Sequence, residues 1–248
     1  AHSDAVTNLD RALADASAHA DACTEASLAA MSSICPPWSS DIWPAGPTRV
    51  GPAPGIRVGT FSLALPTPGG GSESENGNAE TRELLRPPAM LDTPAAASLV
   101  VRTGAGETAE GRESALQTLR NATLRALTAL PPGKVRLTML DPVGLGQSFA
   151  GFMRLADHDE RLVDSKIWTE ARHIEQRLAG LTEHMETVIQ KYLRNEFESI
   201  EAYNEKAGEI AEPYRFLVVA DFPTGFTEES ARRLASIIES GPRCGVFV

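Results

Sequence analysis

Apolar positions along the chain change their spacing twice. In the first 34 residues Val6, Leu9, Leu13, Ala16, Ala20, Cys23 and Ile34 fall near a 3.5-residue seam, which predicts a helix. The seam is mostly alanine, so two readings stand: the end of a coiled coil, or an amphipathic helix lying on the core. From Pro36 to Pro94 the pattern dissolves. This stretch holds 11 of the 17 prolines and the polar tract Gly69–Asn78, a composition that connects rather than packs. Within it, Ile56–Leu65 alternates and predicts one strand or a hairpin arm, stopped by Pro66 and Pro68 and placed at the edge of the following sheet.

From Ser98 onward short apolar runs alternate with helical stretches, the order expected of a parallel sheet with crossover helices. The predicted strands are Leu99–Arg102, Val135–Leu140, Phe216–Ala220 and the start of another at Gly245–Val248. The predicted helices are Thr108–Leu130, Ala171–Phe197 and Thr227–Glu239, the last with Thr227 as its N-cap. Ile174, Leu178, Leu181, Met185, Val188 and Tyr192 form the core-facing stripe of the long middle helix. The domain division is therefore 1–35, 36–97 and 98–248. The last is an α/β core expected to be truncated, because the chain begins without methionine and stops on an apolar run.

Composition refines this picture. At 248 residues, 42% hydrophobic and 23% charged, the chain is an ordinary globular one. No apolar run approaches the roughly 20 residues that span a bilayer, and the N-terminus lacks signal-peptide order, so a soluble, cytoplasmic protein is expected, though its parent chain is free to associate with a membrane. A net charge of -10 excludes an all-over basic surface that coats nucleic acid, while leaving room for a local basic pore. Cys23, Cys35 and Cys244 are odd in number and lack metal-ligand spacing, which favours a reducing compartment.

Candidate chemistry gathers at strand ends. Gly104–Ser114 (GAGETAEGRES) lies between a strand and a helix and carries Gly106 and Gly111 at GxxxxG spacing, where backbone N–H groups can converge on phosphate oxygens. Arg112 and Glu113 occupy the two positions that a phosphate loop gives to lysine and Ser/Thr, and Ser114, one residue later, is the candidate to substitute as the hydroxyl on the metal if the register slips. Arg112 keeps the positive charge, whereas Glu113 is able to ligate magnesium but also repels a triphosphate. The bland alternative is a glycine-rich turn with a capping or pairing arginine. Asp221, at the end of FLVVA, stands where a carboxylate holds magnesium through water, but Phe222 and Pro223 follow it and no base adjoins. Asp141 also ends a strand and points toward the same crevice, or merely starts a turn before Pro142. Asp157–Glu160 reads as a solvated loop, and His173 and His184, about 16 Å apart along a helix, are too distant to share an ion.

From about Ile56 to its end the chain resembles the motor domain of the FtsK/SpoIIIE family of P-loop translocases. The resemblance rests on Leu140-Asp141-Pro142, Trp168-Thr169-Glu170, Met185–Tyr192, Ile200-Glu201-Ala202-Tyr203-Asn204 and the run Pro213–Asp221, in that order. It implies a RecA-like P-loop core with a mostly parallel sheet and flanking helices. It also implies ATP and Mg2+ as ligands, and a ring, often hexameric, or tandem domains that move duplex DNA or, in secretion relatives, polypeptide. Carried over by position, Gly106, Gly111, Arg112 and Ser114 fall on the phosphate loop and Asp221 on the Walker B aspartate. Gly111-Arg112-Glu113 replaces the family's GK[ST], and Phe222 replaces its Walker B glutamate. One well-placed cation on the transferring phosphoryl group is worth about 10³–10⁵ in rate, so weak or absent hydrolysis is expected. The competing expectation is a scaffold of the same fold without a ligand.

Overall fold

The computed structural model describes residues 2–32, 38–41, 55–66, 81–85, 87–93, 97–104, 108–194 and 196–248. They divide into two compact units. The first comprises 1–44 with 57–90, and the second 45–56 with 91–248. In the first, α1 (His2–Ser32) touches a strand of a short antiparallel pair. That pair is β2 (Leu63–Pro66) and β3 (Thr81–Leu85), with a register shift between Leu63 and Ala64.

The stretch Ile56–Leu65, expected as one strand or a hairpin arm, forms two strands: β1 (Gly55–Thr60) pairs with β4 (Pro88–Asp92), and β2 pairs antiparallel with β3. Neither pair joins the sheet that follows, which corrects the edge-strand expectation. The correction has a local cause. Phe61 N–H donates to the Pro87 carbonyl at 2.8 Å, next to the β1–β4 pair, so this arm spends its pairing on 87–92 rather than on the parallel sheet.

The second unit is α/β, built on a three-stranded parallel sheet in the order β5 (Val135–Leu140), β6 (Tyr214–Val219), β7 (Val246–Phe247). β5 alternates buried Val135, Leu137 and Met139 with partly exposed Arg136 and Thr138, as a strand covered unevenly on its two faces should. β6 is central and carries the near-continuous apolar run FLVV. Residues 162–168 run beside β5, with Leu137 N–H donating to Leu162 and Asp141 N–H to Trp168. The expected strand at Leu99–Arg102 forms no ladder. Leu99 instead donates one backbone hydrogen bond to Val248, and Val248 N–H donates to Ser98 Oγ, so this segment lies along β7.

Helices form where the caps and stripes place them. α2 (Ala109–Ala129) is capped by Thr108, whose hydroxyl accepts from Gly111 N–H. α3 (Ala171–Thr187) buries Ile174, Leu178, Leu181 and Met185 and packs on α5 (Glu228–Ser240). Thr227 and Ser230 form a reciprocal capping box at the start of α5. Full burial of side chains such as Ile174, Leu178 and Ile237 is worth about 1.5–3 kcal/mol each, which fixes these two helices together.

The middle helix does not run to Phe197. Val188–Leu193 has π geometry and Arg194 turns left-handed at φ 40°, ending it. An i→i+5 repeat sets residues five apart on one face, so Val188 and Leu193 are both buried while Tyr192 leaves the core stripe. The short helix α4 (Ile200–Ala207) follows, and Asn204 clamps the backbone of Glu212 from both sides just before β6.

Candidate functional site

The parallel register opposes Leu140 to Val219, which brings the carboxyl ends of β5 and β6 to one rim. Asp141 and Asp221 are the residues that emerge there. Ala220 N–H donates to the Leu140 carbonyl at 2.9 Å, so the two chains separate only beyond this bond. Crevices at such a rim are where open parallel sheets bind ligands.

Arg112, in the first turns of α2, meets Asp221 across 109 residues of sequence. Its Nε and Nη2 donate to Oδ1 and Oδ2, each at 2.6 Å, in a bidentate fork. The bond to Asp221 holds the Arg112 guanidinium above its ordinary range against a smaller opposing effect of burial. Asp221 itself has φ 54°, a left-handed conformation that aspartate tolerates better than most residues. The turn after it is closed by Thr224 N–H to the Asp221 carbonyl and Phe226 N–H to Pro223, with a cis Phe222–Pro223 bond.

Neighbours in sequence diverge in space because each helical residue turns about 100° from the last. Glu113 therefore leaves the rim and pairs with Arg120 at 2.7 Å. Ser114 is exposed, about 200° round the helix from Arg112, and is not brought to Asp221. Gly111 spends its N–H on the Thr108 cap at 3.0 Å. Gly106 lies outside the described residues.

Asp141 is fully buried and differently employed. Its Oδ1 accepts from Gly144 N–H at 2.9 Å, and its Oδ2 accepts from Gly146 and Ser148 N–H at 3.0 Å each. Three backbone donors satisfy a carboxylate well, so Asp141 organises the turn after β5. Arg120 extends the arrangement, donating from Nε to the Ser148 carbonyl at 2.7 Å while its Nη1 holds Glu113. Sequence reasoning missed Arg120. The i,i+7 spacing of Glu113 and Arg120 on one helical face was the available signal.

Beside the ion pair, within the second unit, is a cavity of about 520 Å³. Its walls include Leu119, Ala122, Leu234 and Ile238 together with Arg112 and Asp221. The volume falls in the range of roughly 300–1,000 Å³ typical of small-molecule sites. Phe222, the residue after Asp221, is 54% exposed and stacks edge-on to Phe226, so it contributes apolar surface beside the carboxylate and no proton acceptor.

The residues fit the two expected ligands unequally. Arg112 presents the fork that phosphate recognition uses. Magnesium finds less: both Asp221 oxygens are engaged by Arg112, both Asp141 oxygens by backbone, and no cluster of three or more His, Cys, Asp or Glu suited to a metal occurs among the described residues. No helix among them is long and apolar enough to cross a membrane.

No protein-family model matches the chain, and no curated protein matches it. Solved structures do. The chain is similar to the cytoplasmic domain of the Thermomonospora curvata type VII secretion ATPase EccC, at 21% identity and TM-score 0.47, over 66% of this chain and 18% of that one. It is similar to EssC (ATPases 2 and 3) from Geobacillus thermodenitrificans, at 16% identity and TM-score 0.47, over 82% of this chain and 34% of the other. A third is the pCW3 conjugation coupling protein TcpA, solved as a monomer with ATPγS, at 14% identity and TM-score 0.44, over 75% and 46%. The chain thus spans less than half the length of any of these three, and at such TM-scores the likenesses assign no residue and no activity.

Proposed function

We propose that the chain is a P-loop-type nucleotide-binding module of an ATP-driven translocation machine, with a RecA-like core and weak or absent hydrolysis of its own. The observation that carries this reading is the Arg112–Asp221 contact. It sets a phosphate-binding cation at the start of a helix against an acidic residue at the end of the central strand, beside a ligand-sized cavity. The sequence order of the resemblance supports the same assignment.

Chemically, Arg112 binds and orients a terminal phosphate, and the apolar walls accommodate the rest of the ligand. A bound nucleotide supplies the phosphoanhydride whose cleavage drives such machines. Phe222 supports weak or absent hydrolysis in this reading, since it neither accepts a proton nor orients water.

Calorimetry on the 248-residue chain with a non-hydrolysable ATP analogue tests the reading. Saturable heat is expected, with a rise in melting temperature that corresponds to about 2.7 kcal/mol at 100 times Kd. Absence of both overturns it in favour of a ligand-free scaffold. Duplex DNA and polypeptide are the two cargo classes, and retention on DNA that weakens steeply between two salt concentrations distinguishes the first.

A further inference from the structure

This inference rests on the nucleotide reading and concerns how that site is regulated. The guanidinium fork grips carboxylate and phosphate through the same planar edge, so one edge serves one anion at a time. In Arg112 the edge formed by Nε and Nη2 is given to Asp221, at 2.6 Å on both arms. The same contact turns both Asp221 oxygens toward a cation that is already there.

The carboxylate is presented by a built loop. Asp221 is fixed in the left-handed region, its carbonyl accepts from Thr224 N–H, and Gly225, at φ 79°, sits where an added Cβ would come within 2.8 Å of Pro142. No other described acid takes its place at Arg112. Glu113 is paired with Arg120, and the Asp141 oxygens are held by three backbone N–H groups.

We infer that Asp221 is an intramolecular competitor for phosphate at Arg112, so that the module takes a metal-free polyphosphate and its affinity is set by how readily Asp221 lets go. The contact is a tethered stand-in for the ligand's terminal phosphate. Loss of the Asp221 charge therefore strengthens binding, whereas an aspartate that recruits magnesium would give the opposite sign.

The test is calorimetry of inorganic triphosphate and ATP, each with magnesium and with EDTA, on the unaltered chain, Asp221→Asn and Arg112→Gln. Asparagine accepts the left-handed conformation as aspartate does, so Asp221→Asn removes charge while keeping the turn. Asp221→Asn is expected to bind triphosphate about tenfold more tightly in EDTA, discounted from the full value of a charged hydrogen bond because Arg112 is partly exposed. Arg112→Gln is expected to lose binding, and magnesium to bring no gain.

Equal or weaker binding by Asp221→Asn, or a requirement for magnesium, overturns the inference and leaves the nucleotide reading standing. No binding by any of the three proteins overturns both. A second measurement needs no variant: the Arg112 Nε–H resonance of the unaltered chain is expected to shift as triphosphate saturates it. A resonance unmoved at saturating triphosphate counts against the competition.

Discussion

Gly225 and Pro142 lock the two rim loops together: a Cβ added at Gly225 would stand 2.8 Å from the Pro142 Cβ. Pro142 belongs to the turn that Asp141 organises, and Gly225 to the loop that carries Asp221. The position of the acidic end of the central strand is thereby referred to its neighbour, independently of Arg112.

Gly225→Ala tests that link. The residue holds φ 79°, costly for any side chain, and alanine adds a clash with a rigid ring rather than with a flexible tip. The expected loss is about 1–3 kcal/mol in urea unfolding, with faster hydrogen exchange at the Arg112 side chain as Asp221 shifts. An unchanged midpoint would show that the loops are not coupled through this contact.

Asp141→Ala strips three backbone N–H groups of their acceptor, that of Ser148 buried and those of Gly144 and Gly146 part-buried. A cost of about 1–3 kcal/mol is expected from the stranded donors. Asp141→Asn keeps one oxygen and turns an amide toward donors, so it falls between alanine and the unaltered chain. Chemical denaturation ranks the three; if the order is not observed, Asp141 is not what shapes the turn.

His184 gives a pH signature. Its Nε2 is buried without a hydrogen-bond partner among the described residues, and burial, helped by the nearby Arg215 charge, pushes its pKa down to about 4. The unfolded chain takes up this proton near pH 6.5 and the folded chain only near 4, so protons favour the unfolded state between those values. Stability from His184 is complete above about pH 6.5 and drains as pH falls toward 4, by on the order of 1–2 kcal/mol once solvent screening is discounted. Comparing unfolding free energies of the unaltered chain and His184→Gln from pH 7.5 to 4 isolates the effect. Parallel curves would remove His184 as the cause.

Much of the second unit was readable in sequence because local rules specify it. Thr108 and Thr227 stand at helix starts where a hydroxyl can accept from the first free N–H groups, and both do so. Ile174, Leu178, Leu181 and Met185 recur at helical spacing and are buried together. VRLTML and FLVV have the patterns of a partly covered and a central strand. The π segment was not readable, since the same residues fit a continuing α-helix until Leu193 competes with Tyr192 for the core. Nor was the fate of Ile56–Leu65, whose alternation says strand without saying which partner it will take.

Apart from Leu99–Arg102 and the end of the middle helix, sequence alone determined the kinds of element in the parallel core, and it determined the chemical types at their ends: an arginine after glycine at a helix start, and an acid closing each of two strands. Only the tertiary structure decided what those ends do. Helical rotation sent Arg112 to Asp221 and Glu113 to Arg120, while three backbone donors enclosed Asp141. Such outcomes depend on strand register and loop path across 109 residues, and a nearest-neighbour pattern holds no information about distances of that kind.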